Sequence, residues 1–210
     1  MVVRAWTRRR TFARHISIRY ARNKILILCE GQKTEPNYFR KFPVDIKLVE
    51  LGIQGAGANT LSLVRKAIRL GQEAAKKKHP YNQIWCVFDR DSFPAGNFNE
   101  AFRVARENRI RIAYSNQCFE LWYFLHYHFN DTAIDRQEYC TKLTEQIGRE
   151  YRKNDDGMYE LLKARQQEAI RNAKRLLATY SLCNPERDDP STTVYQLVET
   201  LNAFILGDNT

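Results

Sequence analysis

Four short runs rich in strand-forming residues, each followed by a helical pattern, set the architecture of this chain. Ile25–Cys29 (ILILC) and Ile84–Phe88 (IWCVF) are wholly apolar, and runs of that length bounded by polar residues are buried strands. Residues 45–53 (DIKLVELGI) place apolar side chains at alternate positions, and Arg111–Tyr114 ends at Ser115-Asn116; both read as strands. Between them lie helical patterns. Thr34-Glu35-Pro36 reads as a helix start, with Thr34 as cap and Pro36 in the first turn. Asn59 and Thr60 precede a helix with Leu61, Val64, Ala67, Ile68 and Ala75 on one face and Arg65, Lys66, Arg69 and Lys76–Lys78 on the other, ended by His79-Pro80. Residues 98–108 are amphipathic, and Phe119–Phe129 is apolar on nearly every side, the mark of a buried helix. Alternation of this kind predicts an α/β fold, a four-stranded parallel sheet with helices on both faces. The texture changes at Asp131. Segments 135–151 and 157–180 are charged and amphipathic, and Pro190-Ser191-Thr192 opens a last helix. Three parts follow: an arm at 1–24, an α/β core at 25–130, and a helical extension packed on it at 131–210.

The charge is unevenly distributed. The chain carries 34 Lys and Arg against 24 Asp and Glu, a net +10 over 210 residues. Residues 1–24 hold eight of the bases and no acid, leaving 26 bases and 24 acids in the remaining 186 residues. The body is close to neutral and the arm is basic, which fits a polyanionic partner (nucleic acid or an acidic membrane surface), a solvated tail or an organellar presequence; Arg8, Arg9, Arg10 and Arg14 are its candidate phosphate contacts. No apolar run reaches the ~18–20 residues needed to cross a bilayer, and no leader with an apolar centre opens the chain. The five cysteines are odd in number and lack zinc spacing, as expected of reduced thiols in the cytoplasm.

Ligand sites of open parallel sheets gather at the carboxyl ends of the strands. Here the first expected strand ends at Glu30-Gly31 and the third at Asp89-Arg90-Asp91. Alternate strand residues face one side, so Asp89 and Asp91 can converge, and Glu30 joins them if the two strands are neighbours. Three carboxylates without His or Cys suit Mg²⁺ or Mn²⁺, and Mg²⁺ held this way takes phosphate oxygens among its other ligands. Glu120 sits inside the apolar stretch CFELWYFL, where an acid must be protonated, on a metal or paired, and a structural ion pair with an arginine is the plain alternative to a place beside the metal. His126 is expected to hydrogen-bond within the core. Lys33, just past the first strand, is a candidate phosphate contact or a solvated side chain. The 52–60 loop lacks the Lys-Ser/Thr ending of a P-loop, which speaks against an NTPase.

Glu30-Gly31 after one strand and Asp89-Arg90-Asp91 after another resemble the Toprim domain of topoisomerases, primases and OLD-family nucleases. The strings ILILCEGQKTEPNYF (25–39), FDRD (88–91), SNQCFELWYFLHY (115–127) and DDPSTTVYQLVETL (188–201) are similar to the RloB family of bacterial phage-defence proteins. Gln117 stands where that family is expected to carry proline. The resemblance implies a Toprim-like (Rossmann-like) four-stranded parallel sheet, an abortive-infection role and an ABC/AAA-type ATPase partner. It also implies Glu30 as general acid/base and Asp89 and Asp91 as Mg²⁺ ligands. Glu120, read from its apolar surroundings alone, is a further catalytic candidate beside them. A metal-dependent nuclease acting on nucleic acid, RNA such as tRNA foremost, is the expected function. The alternative is a non-catalytic subunit that binds nucleic acid or the ATPase, with Tyr38, Trp85 or Tyr195 lining a partner surface.

Overall fold

The structure is a computed structural model that describes residues 22–57, 59–90 and 95–205. Its centre is one sheet of strands β1 (Asn23–Cys29), β2 (Val49–Gly55), β3 (Gln83–Asp89), β4 (Arg111–Asn116) and β5 (Ser191–Thr192), in the order β2-β1-β3-β4-β5. The first four run parallel, and β5 pairs antiparallel with β4. The sheet therefore has five strands where four were expected. The fifth is two residues long, too short for any periodicity to show. Polar groups hold it in place: the Ser115 and Thr192 hydroxyls lie 3.0 Å apart, Thr192 Oγ1 donates to the Tyr114 carbonyl at 2.8 Å, and Asn116 Nδ2 donates to the Asp188 carbonyl at 2.9 Å.

The alternation along β1 builds two cores. Leu26 and Leu28 face one side with Cys86 and Phe88, and are covered by α2 (Thr60–Lys76) and α3 (Ala95–Glu107) through Leu63, Val64, Ala67, Phe98, Ala101 and Ala105. Ile25, Ile27 and Cys29 face the other side with Trp85 and Val87. That side is covered by α1 (Thr34–Arg40), α4 (Glu120–Phe124), α5 (Arg136–Ile147), α6 (Met158–Leu162), α7 (Gln166–Leu177) and α8 (Val194–Asn202). Trp85 and Tyr38 are buried in this second core, which removes them as partner-facing aromatics. Trp122 is also fully enclosed, and truncating a side chain of that size would cost about 3–5 kcal/mol.

Other boundaries moved for local reasons. β2 begins at Val49, not Asp45, because the Asp45 carbonyl accepts from the Leu48 and Val49 N–H groups and closes a turn. Asn59 does cap α2, accepting from the Ser62 N–H at 3.0 Å. Thr34 does not cap α1; it is the first helical residue, and its hydroxyl donates to the Lys153 carbonyl at 2.7 Å. The 119–129 segment is helical only over α4 and continues as tight turns to His128. The long 157–180 pattern breaks into α6, a 3₁₀ turn at Lys163–Arg165 and α7. The last helix starts at Val194, after β5. Helix α5 is capped by Asp135, which accepts from the Glu138 N–H at 2.8 Å, and stops at Gly148, whose φ of 70° suits glycine. The Asn116–Gln117 and Asp189–Pro190 peptides are cis.

Candidate functional site

β1 and β3 are neighbours, so the ends of both strands meet where the chain's winding reverses. The Glu30 N–H donates to the Val87 carbonyl at 2.8 Å, and the Asp89 N–H donates to Glu30 Oε2 at 3.3 Å. Glu30 and Asp89 are thus neighbours, joined through the Asp89 backbone. Asp89 continues the Trp85, Val87 face of β3, toward α1 and α4. There it meets two further acids, Glu35 at 5% exposure and Glu120 at 3%. A small pocket of about 170 Å³ is lined by Glu35, Asp89 and Glu120 together with Gly31, Arg136 and Lys153.

Each acid is held differently. Glu35 lies in the first turn of α1, and its carboxylate rests against Gly31, where a Cβ would overlap it. Burial raises the Glu35 pKa and the Glu120 charge raises it further; the backbone N–H groups of Glu35 and Gly31 and the Lys153 charge pull the other way. Glu120 Oε1 accepts from the Tyr151 hydroxyl at 2.9 Å, so its buried partner is a tyrosine and not an arginine. Burial and the Glu120 charge keep that phenol protonated well beyond its ordinary range. Asp89 Oδ2 lies 3.5 Å from Arg136, while Asp89 Oδ1 is buried without a hydrogen-bond partner among the described residues. Burial raises the Asp89 carboxyl well above the usual range, Glu35 and Glu120 add to the rise, Arg136 opposes it, and Glu30 adds again. The pocket gathers three carboxyl groups, Glu35, Asp89 and Glu120, beside two basic side chains, Arg136 and Lys153.

The oxygen donors match a hard divalent cation in kind, and the unpartnered Asp89 Oδ1 is an acceptor with capacity to spare. Among the described residues, no three carboxylate, imidazole or thiol groups are already gathered at metal-ligand spacing. Asp91, expected as the third ligand, lies outside the described residues, as do Arg8, Arg9, Arg10 and Arg14. Lys33 is exposed at the start of α1. His126 is a core residue: it is fully buried, Nδ1 pairs with the Trp122 carbonyl at 2.9 Å, and burial lowers its pKa to about 4.

Sequence reasoning missed Glu35, Arg136, Lys153 and Tyr151. Glu35 left a trace, since an acid in the first turn after a strand-ending Glu-Gly is aimed back at that strand end. The other three come from the helical extension, and no motif marks them. Among the described residues no helix is long and apolar enough to cross a membrane.

The fold and site define a class: a doubly wound α/β protein with a cluster of carboxylates at the carboxyl edge of its sheet. The chain belongs to the RloB-like protein family, whose model matches residues 25–201. No curated protein and no solved structure matches it.

Proposed function

We propose that this chain is a divalent-metal-dependent nuclease, the cytoplasmic effector of an antiphage system that works with an ABC/AAA-type ATPase. Its substrate is nucleic acid, RNA such as tRNA foremost. The observation that carries this reading is the meeting of Glu30, Asp89, Glu35 and Glu120 at the ends of β1 and β3. The Toprim-like pattern of Glu30 and Asp89-Arg90-Asp91, the family membership and the basic arm support it.

Mg²⁺ or Mn²⁺ would be held by Asp89 and Asp91 with Glu30, and would supply a Lewis acid for the scissile phosphate. The chain's own residues do the rest. Arg136 and Lys153 stand at the pocket rim and attract the phosphodiester. Tyr151 fixes one oxygen of Glu120, leaving the other to take a proton from an attacking water. Gly31 keeps the Glu35 carboxylate turned into the pocket.

The test is incubation of the full chain, with and without its ATPase, with tRNA, single-stranded RNA and DNA in Mg²⁺ or Mn²⁺. Cleavage is expected, falling about 100-fold or more in Asp89→Asn and Glu120→Gln. Cleavage that neither substitution changes, or that persists in EDTA, refutes the proposal.

A further inference from the structure

A larger cleft, about 660 Å³, opens at the carboxyl end of β4, and Arg136 lines both it and the carboxylate pocket. Its walls are the ends of β3 and β4, the first turn of α5 and the loop before β5. The size is that of a small-molecule site. The lining is of mixed chemistry. Arg136 and Arg187 offer cationic forks suited to phosphate. Gln117 and Asp189 offer amide and carboxylate groups that read N–H and C=O edges, with Gln117 Nε2 donating to Asp189 Oδ2 at a long 3.3 Å. Asp189 Oδ1 has no hydrogen-bond partner among the described residues.

This combination discriminates among anions. A bare phosphate or an acidic peptide would use the arginines but meet Asp189 and Glu186 as repulsive neighbours. A nucleotide carries an anionic group at one end and a donor-bearing base edge at the other, so it answers both halves of the lining. A duplex keeps its bases paired and stacked, and a concave site cannot receive their edges; an unpaired strand can turn a base outward. We infer that the cleft seats one unstacked nucleotide of a single-stranded nucleic acid, its phosphate on Arg136 and Arg187 and its base edge on Gln117 and Asp189. The inference rests on the reading of the adjoining pocket as a phosphodiester site, and it makes single strands or unpaired loops the substrate class.

The experiment is fluorescence anisotropy of the full chain in EDTA, so that binding is read apart from cleavage. The probes are labelled A, C, G and U homopolymers about 12 nucleotides long, their DNA counterparts, and one mixed sequence both single-stranded and annealed to its complement. The single strand is expected to bind at least about tenfold more tightly than the duplex. Arg187 is exposed, so its replacement leaves the fold intact. Arg187→Gln is expected to weaken single-strand binding about tenfold, and Arg187→Glu more, as loss of a charged hydrogen bond predicts. Asp189→Asn turns an acceptor-only group into one that also donates, and is expected to reorder the four homopolymers. Wild-type affinity in both Arg187 variants, equal binding of single strand and duplex, or an unchanged homopolymer order in Asp189→Asn each overturns the inference. These results are separable from the cleavage assay. Nuclease activity with indifferent cleft variants sinks only the cleft, and cleft-dependent binding without cleavage sinks only the proposed chemistry.

Discussion

Replacing Asp89 by Asn should make the protein more stable while removing the proposed nuclease activity. Asp89 faces three acids, Glu35, Glu120 and Glu30, and one cation, Arg136. Its side chain is only 19% exposed, so solvent screens these charges weakly. Like charges 4 Å apart repel by about 4 kcal/mol at an effective dielectric near 20. With one attraction set against three repulsions at longer and unequal range, the net gain on neutralisation is about 1–3 kcal/mol at pH 8. Asparagine keeps the size, and its carbonyl can still face Arg136. The pH dependence gives the sharper signature. A carboxyl raised in the native state retains its proton there after the unfolded chain has lost its own. The native state therefore loses stability as pH rises from the unfolded value near 4 through the raised native value. Below pH 4 both states are protonated, and the advantage of Asp89→Asn should vanish. Urea unfolding in EDTA at pH 4 and pH 8 measures this, and each kcal/mol should appear as ~2–4 °C in a thermal melt. A variant less stable than wild type at pH 8, or a difference that does not change with pH, would refute the electrostatic account of the pocket.

Three further outcomes follow from the same geometry. Gly31→Ala should push the Glu35 carboxylate out of the pocket and weaken Mn²⁺ binding, by calorimetry, about tenfold or more. Tyr151→Phe should cost about 1–2 kcal/mol in urea unfolding, since it strips the buried Glu120 Oε1 of its donor. His126, lowered to about 4, has the opposite linkage to Asp89: as pH falls below about 6.5 the unfolded chain takes up a proton that the native state refuses. Stability should fall by up to about 3 kcal/mol between pH 6.5 and 4, with an NMR titration of the His126 ring showing its inflection near 4.

The parallel core was legible because burial on both faces leaves no alternative to continuous apolar strands. Ile25–Cys29 and Ile84–Phe88 can be little else, and their polar stops located Glu30 and Asp89. What escaped is what tertiary contact decides. β5 exists through hydroxyl and amide pairing with β4, which leaves no pattern in two residues. The break within 157–180 is set by packing against the second core and not by any proline or glycine inside α6 or α7. At the site, the strand-end acids were visible because strand ends are; Arg136 reaches it from the first turn of α5, and Tyr151 and Lys153 from the loop between α5 and α6, which no pattern marks. Glu120 was singled out because an acid amid aromatics needs a partner, but the sequence offered no way to choose tyrosine over arginine.

The edge strand β5 bears on the order in which the sheet assembles during synthesis. A ribosome delivers β1 to β4, with Glu30, Glu35, Asp89 and Glu120, before Arg136, Tyr151 and Lys153, and delivers Ser191 and Thr192 later still. Until then the outer edge of β4 is unpaired, Asn116 and Ser115 lack their partners, and the carboxylates have neither their phenol nor their cations. A nascent chain therefore carries its acids without the surroundings that would let them act. For a polypeptide proposed to cut nucleic acid inside the cell that makes it, that order of assembly keeps unfinished copies inert beside the RNA that encodes them.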